Sequence, residues 1–184
     1  MKKLLIVEAV PQFEKKREAL ILGELIRMID PSYNDDYIYP CKSAFLYDVH
    51  RYFIDHIYRE RYGRFNFVHF SGHGRYYKRR GPVFHFPKGK ITVDDLPDGC
   101  FKNTVLTFSA CQIGAGDGLD RIIEKTKAKL VIAPDSSPYF ENATLWFLNY
   151  YYLVLKQKCD PIEAFDAVND IMPEKIGQVL KVWA

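Results

Sequence analysis

The sequence predicts an α/β fold: one domain over residues 1–184, with a mostly parallel sheet covered by helices on both faces. Three observations carry this. Short apolar runs bounded by charge, proline or glycine recur at 3–9, 65–70, 104–109 and 130–133, as expected of strands buried on both faces. Segments of helical periodicity alternate with them, which is the pattern of βαβ units. There is no internal repeat, low-complexity tract or linker, and 184 residues suffice for a single substantial core.

Each element has its own signal. KLLIVEA (3–9) is the first strand. A helix is expected over 12–29, because Leu22, Leu25, Ile26 and Ile29 repeat at helical spacing and Pro31 stops it. A short strand is expected near Asp36–Tyr39. A second helix, with Leu46, Val49, Phe53 and Ile57 on one stripe, should end near Gly63. FNFVHF (65–70) is a strand that breaks into the loop Ser71-Gly72-His73-Gly74. Residues 83–96 suggest a β-hairpin turning at Lys88-Gly89, with a short helical turn opened by Asp94-Asp95. TVLTFS (104–109) is a further strand, ending in Ala110-Cys111 and a glycine-rich loop over 112–118. Leu119, Ile122 and Ile123 mark a helix before the strand 130–133. The last third is expected to be mainly helical, with an aromatic helix near 140–157. The final helix starts at Asp160, with Pro161 at its first position and Glu163 placed for a capping box.

Composition excludes several classes. Hydrophobic residues are 48% and charged residues 27%, a globular balance, and a net charge of +3 is too small to imply a nucleic-acid or membrane partner. Glu8 and Pro11 interrupt the N-terminal apolar run, so no signal peptide is expected, and no stretch approaches a membrane span. Cys41, Cys100, Cys111 and Cys159 show no metal-ligand spacing and no disulfide framework. A soluble, cytoplasmic protein is expected.

The chemistry is expected at the carboxyl ends of the strands, where the loops of a parallel sheet leave around a crevice. Two of those ends carry reactive groups, His73 after 65–70 and Cys111 after 104–109. If the two strands are parallel neighbours, their ends lie about 5 Å apart, and imidazole and thiol form a dyad. A free thiol is only partly ionised at neutral pH; an adjacent imidazole accepts its proton and makes a nucleophile. Attack on a carbonyl generates an oxyanion, and Gly74, lacking a side chain, lets a backbone N–H approach it, with the N–H of Cys111 as second donor.

FVHFSGHG (67–74) and TVLTFSACQIG (104–114) resemble the His-Gly and Ala-Cys blocks of caspase-like (clan CD) cysteine peptidases, and in particular the CHAT branch. GKITVDDL (89–96) is similar to the hairpin and short helix between the two catalytic strands of that branch. VIAPDSSPYFENATLWF (131–147) and DPIEAFDAV (160–168) look like its following strand and final helices. The likeness covers about 65–170; residues 1–60 match only in element order. It implies a three-layer αβα sandwich with a β-hairpin insertion. It also implies a cysteine endopeptidase using His73 as base, Cys111 as nucleophile and Gly74 at the oxyanion, without cofactor or metal. Protein substrates, and a regulatory protein partner, are what it implies as partners; standalone bacterial relatives of this type resemble defence or regulated-proteolysis proteases. Relatives directed at Arg or Lys carry an Asp two positions before the nucleophile, where this chain has Ser109. Glu8 and Asp135, at the ends of their strands on the same sheet edge, are the candidates to line the pocket instead.

Other features have plainer readings. His69 should pack inward, and its i, i+4 spacing from His73 is not helical, so no metal site is expected. His85 alternates as a hairpin residue, and Cys100 and Cys159 have no base nearby in sequence. The basic run RYYKRR (75–80) is a solvated loop, a processing site or a dock for an acidic partner. Gly114, Gly116 and Gly118 are not followed by the Lys-Ser/Thr of a phosphate loop. A glutamine amidotransferase would place Cys first on a sharp elbow. A phospho-receiver domain needs an acidic pair and an acceptor Asp that are missing. A catalytically silent caspase-like interaction module, using an aromatic face around Tyr150–Tyr152, is the alternative in a different functional class.

Overall fold

The strands at the centre of the sheet are buried on both faces, and their alternate apolar side chains enter two different cores. In the computed structural model, which describes residues 4–10, 17–31, 38–40, 65–86, 89–172 and 178–180, six strands pair in the order β2-β1-β3-β7-β8-β9. These are β1 (Leu4–Glu8), β2 (Ile38–Pro40), β3 (Phe67–Ser71), β7 (Val105–Ser109), β8 (Leu130–Ala133) and β9 (Gln178–Leu180). The first five run parallel and β9 closes the edge antiparallel. Parallel neighbours need crossovers, which is why helices end up on both faces.

On one face, Leu4, Ile6, Phe67, Val105, Leu130 and Ile132 pack under α1 (Glu18–Ile29), α3 (Phe140–Tyr151) and α4 (Pro161–Ile171). Trp146, Phe147, Tyr150 and Tyr151 are fully buried there. On the other face, Leu5, Val7, Val68, Phe70, Leu106 and Phe108 pack against Leu119, Ile122 and Ile123 of α2 (Gly118–Thr126) and against a second, smaller sheet. That sheet is an antiparallel meander of β4 (His73–Tyr77), β5 (Gly81–Phe86) and β6 (Gly89–Thr92). It presses Phe84, Phe86 and Ile91 onto the core. A 3-10 turn, Val93–Asp95, follows; Asp95 accepts both the backbone N–H and the hydroxyl of Thr92, at 2.7 and 2.8 Å.

Several expectations change. Residues 73–77 form a strand, not a glycine loop, so the predicted hairpin is a three-stranded meander. The strand ladder to β5 supplies the hydrogen bonds that an isolated RYY segment lacks. The aromatic helix ends as α3 at Tyr151 and continues as one π-helical turn over Tyr152–Lys156. The described part of the last third is mainly helical as expected, with the short strand β9 as an unexpected addition. Tyr150 and Tyr151 are core residues and only Tyr152 is exposed, so the aromatic contact face of the interaction-module reading does not exist. The physical reason is that Tyr150 and Tyr151 lie with Trp146 and Phe147 on the buried side of α3, while Glu141 and Leu145 face outward. In α4 Pro161 occupies the first turn as expected, and the Asp160 carboxylate accepts the N–H of Ile162 at 2.8 Å. The second expected helix, with Leu46, Val49, Phe53 and Ile57, lies outside the described residues, as do Cys41 and residues 12–16 of the first helix.

Candidate active site

Strands β3 and β7 are adjacent and parallel, and Ser71 is the register partner of Ser109. The ladder continues one residue further, with the N–H of Gly72 donating to the Ser109 carbonyl at 3.1 Å. His73 and Cys111 therefore each lie two residues beyond a paired serine, at the same carboxyl edge of the sheet. His73 is exposed at the start of β4, and Cys111 is half-buried at the start of the following loop.

Gly74 brings the two chain segments together. A Cβ at this position would sit 2.6 Å from the carbonyl oxygen of Cys111 and 2.8 Å from two carbons of Ile113. The oxygen therefore occupies the space that a side chain at position 74 would need. The Cys111 loop is held from its other side. Gln112, in the left-handed region at φ 59°, donates its N–H to Ser136 O, and Gly114 donates to Pro134 O, each at 2.8 Å. Gly114 also has backbone against it, with Ala133 O 2.7 Å from a built Cβ. Further out, the Tyr76 hydroxyl donates to Asp117 at 2.8 Å, and Arg121 donates to the other oxygen of the same carboxylate at 2.9 Å. These two donors hold the Asp117 carboxyl below its ordinary range. The meander is latched to the cysteine loop at both ends.

The predicted pocket residues fall in two places. Glu8, Ser71 and Ser109 are register partners in one row across β1, β3 and β7, and all three are buried. Ser71 was not singled out by the sequence; its hydroxyl is buried without a hydrogen-bond partner among the described residues. Glu8 accepts the N–H of Ala19 at 3.0 Å, satisfying one of the free amides at the start of α1. Burial raises the Glu8 carboxyl above its ordinary range despite that bond. Asp135 is exposed in the loop after β8, next to Ser136, which grips the cysteine loop. The row and Asp135 are thus separate features of one edge.

Two rows deeper, Ile6, His69 and Thr107 are partners. His69 is fully buried, as its inward packing predicts, with Nδ1 2.8 Å from the Thr107 hydroxyl and Nε2 3.6 Å from Glu18. Thr107 also bonds the Tyr151 hydroxyl at 2.6 Å. Sequence reading missed this Glu18–His69–Thr107–Tyr151 chain, which joins four elements distant in sequence.

The other thiols differ in setting. Cys100 is buried, and burial pushes its thiol up to about 12; Cys159 packs partly buried against the helical core. His85 is the cross-strand partner of His73. Burial lowers its pKa, and the charges of Lys90, His73 and Arg75 add to the effect. Among the described residues no group of three His, Cys, Asp or Glu side chains is arranged to hold a metal ion, and no helix is long and apolar enough to cross a membrane. No protein-family model matches the chain, and no curated protein matches it.

Proposed function

We propose that this chain is a caspase-like, CHAT-type cysteine endopeptidase with a three-layer αβα architecture, acting in the cytoplasm on protein substrates. The observation that carries the reading is the register of β3 and β7: two parallel neighbours release a histidine and a cysteine at equal distances past paired serines, onto one edge. The tight seat of Gly74 against the Cys111 backbone supports it.

In this mechanism His73 takes the Cys111 proton, and the thiolate sulfur attacks the scissile carbonyl carbon. The oxyanion so formed is stabilised by the N–H groups of Gly74 and Cys111. The C–N bond breaks as His73 protonates the leaving amine, leaving an acyl-thioester. Water then attacks that ester, His73 accepts its proton, and the C–S bond breaks to release the acid and the free thiol. Of the expected pocket residues, Asp135 is exposed on this edge and is the candidate to meet the substrate, whereas Glu8 and Ser109 are buried.

A peptide-library cleavage screen tests this. The wild-type chain is expected to cleave a restricted set of peptides, Cys111→Ala none, and EDTA is expected to have no effect. Equal cleavage by Cys111→Ala, or activity removed by EDTA, overturns the metal-free dyad.

A further inference from the structure

The exposed face of the small sheet has an unusual charge. Residues 73–93 hold six of the chain's 26 Lys and Arg and none of its 23 Asp and Glu, so this segment carries +6 while the remainder of the chain carries −3. Of these six, Arg75, Lys78, Arg79, Arg80 and Lys90 are among the described residues, and all five are exposed. In β4 the exposed residues alternate, His73, Arg75 and Tyr77, while Gly74 and Tyr76 turn toward the cysteine loop. His73 pairs with His85 and His85 with Lys90, giving a cross-strand row of three basic side chains about 10 Å long at the usual strand spacing. Arg75 lies in the next row, and Lys78, Arg79 and Arg80 are exposed in the β4–β5 turn. No ion pair among the described residues engages Arg75, Lys78, Arg79, Arg80 or Lys90. Among the described residues no carboxylate is a cross-strand partner of these cations, so a bound anion would offset their mutual repulsion.

We infer that this face docks an acidic segment of the polypeptide substrate, running from the His73 edge across Lys90 and Arg75 toward the 78–80 turn. The inference rests on the peptidase reading for the word substrate, because the row begins at the proposed catalytic histidine. A polypeptide fits better than a nucleic acid. Nucleic-acid grooves interleave cations with open stacking rings, whereas the one exposed ring of this face, Tyr77, is covered by the Arg75 guanidinium 5.3 Å from its centroid. Burial lowers the pKa of His85, and the positive charges of Lys90, His73 and Arg75 lower it further.

The test uses the Cys111→Ala chain, so that binding is read without cleavage, and a fluorescein-labelled peptide of six Glu-Ala repeats, followed by anisotropy in about 20 mM salt. Binding is expected, at least 10-fold weaker in Arg75→Glu/Lys90→Glu, and weaker again in about 200 mM salt as screening shortens. A Gln-Ala peptide is expected not to bind. Both substituted residues are exposed, and circular dichroism checks that the variant is folded. Failure of the Glu-Ala peptide to bind, or equal binding by the double variant, overturns the inference. So does tighter, variant-sensitive binding of a dodecathymidine oligonucleotide, which would make the face a nucleic-acid surface. A chain that binds the acidic peptide yet cleaves nothing as wild type leaves the docking face standing and sinks the peptidase reading alone.

Discussion

Replacing Gly74 by alanine is the smallest change that probes the junction of the two site loops. The added methyl would lie 2.6 Å from the Cys111 carbonyl oxygen and 2.8 Å from Ile113 Cγ1 and Cδ1. Ordinary contact requires roughly 3.4 Å or more, so the loop must retreat by close to an ångström. It has nowhere to go cheaply: Gln112 and Gly114 are bonded to Ser136 and Pro134 at 2.8 Å, and Ile113 is buried in the core. Overpacking of this kind costs about 1–3 kcal/mol, which for a chain of this size lowers Tm by roughly 2–12 °C. The functional loss is expected to exceed the structural one. A displacement of about 1 Å at a reacting group costs on the order of 100-fold in rate. Calorimetry and the rate of cleavage of a peptide substrate measure the two effects on the same sample. A Gly74→Ala chain with unchanged Tm and unchanged rate would refute the claimed contact and with it the placement of β4 against the cysteine loop.

Two further perturbations read other parts of the structure. Thr107→Val keeps the side-chain volume but removes the hydroxyl that bonds His69 Nδ1 and the Tyr151 hydroxyl. At about 1–3 kcal/mol for the stranded imidazole nitrogen, urea unfolding is expected to show a loss in that range; a loss below about 0.5 kcal/mol would contradict the network. Glu8 has its carboxyl raised by burial, so the folded chain holds that proton more tightly than the unfolded one. Its contribution to stability is therefore full below the ordinary carboxylate range and is lost as pH rises through the raised value. Denaturation between pH 4 and 7 should show this decline in the wild type and a smaller one in Glu8→Gln; identical slopes would count against it.

The parts of the fold that sequence makes legible are those whose signals are local. Strands β1, β3, β7 and β8 announce themselves as apolar runs because both their faces are buried, and Pro161 and Pro31 mark helix limits through their missing N–H and fixed φ. Long-range features are hidden. The segment 73–77 carries Gly, Arg and Tyr and reads as loop; only its ladder to β5 and the packing of Gly74 and Tyr76 on residues 111–117 make it a strand. The alternation of exposed His73, Arg75 and Tyr77 was the available signal. At the site, the order and strand-end placement of His73 and Cys111 are legible, since both follow strong strands. Ser71 and the Glu18–His69–Thr107–Tyr151 chain are not, because strand register and helix docking, neither of them local, bring those groups together. The same limit explains the misplaced aromatic contact face: Tyr150 and Tyr151 carry hydroxyls that suit a surface, and only the three-helix layer above the sheet shows them buried.

The pairing of imidazole and thiol is tested most directly by the reactivity of the individual cysteines. Cys111 alkylation by iodoacetamide, followed by mass spectrometry from pH 5 to 9, is expected to outpace Cys100 and Cys159 at neutral pH. Replacing His73 by alanine should slow Cys111 alone, by about 10-fold or more at neutral pH. Alkylation of Cys111 that matches Cys159 and ignores the loss of His73 would contradict a thiol activated by that imidazole.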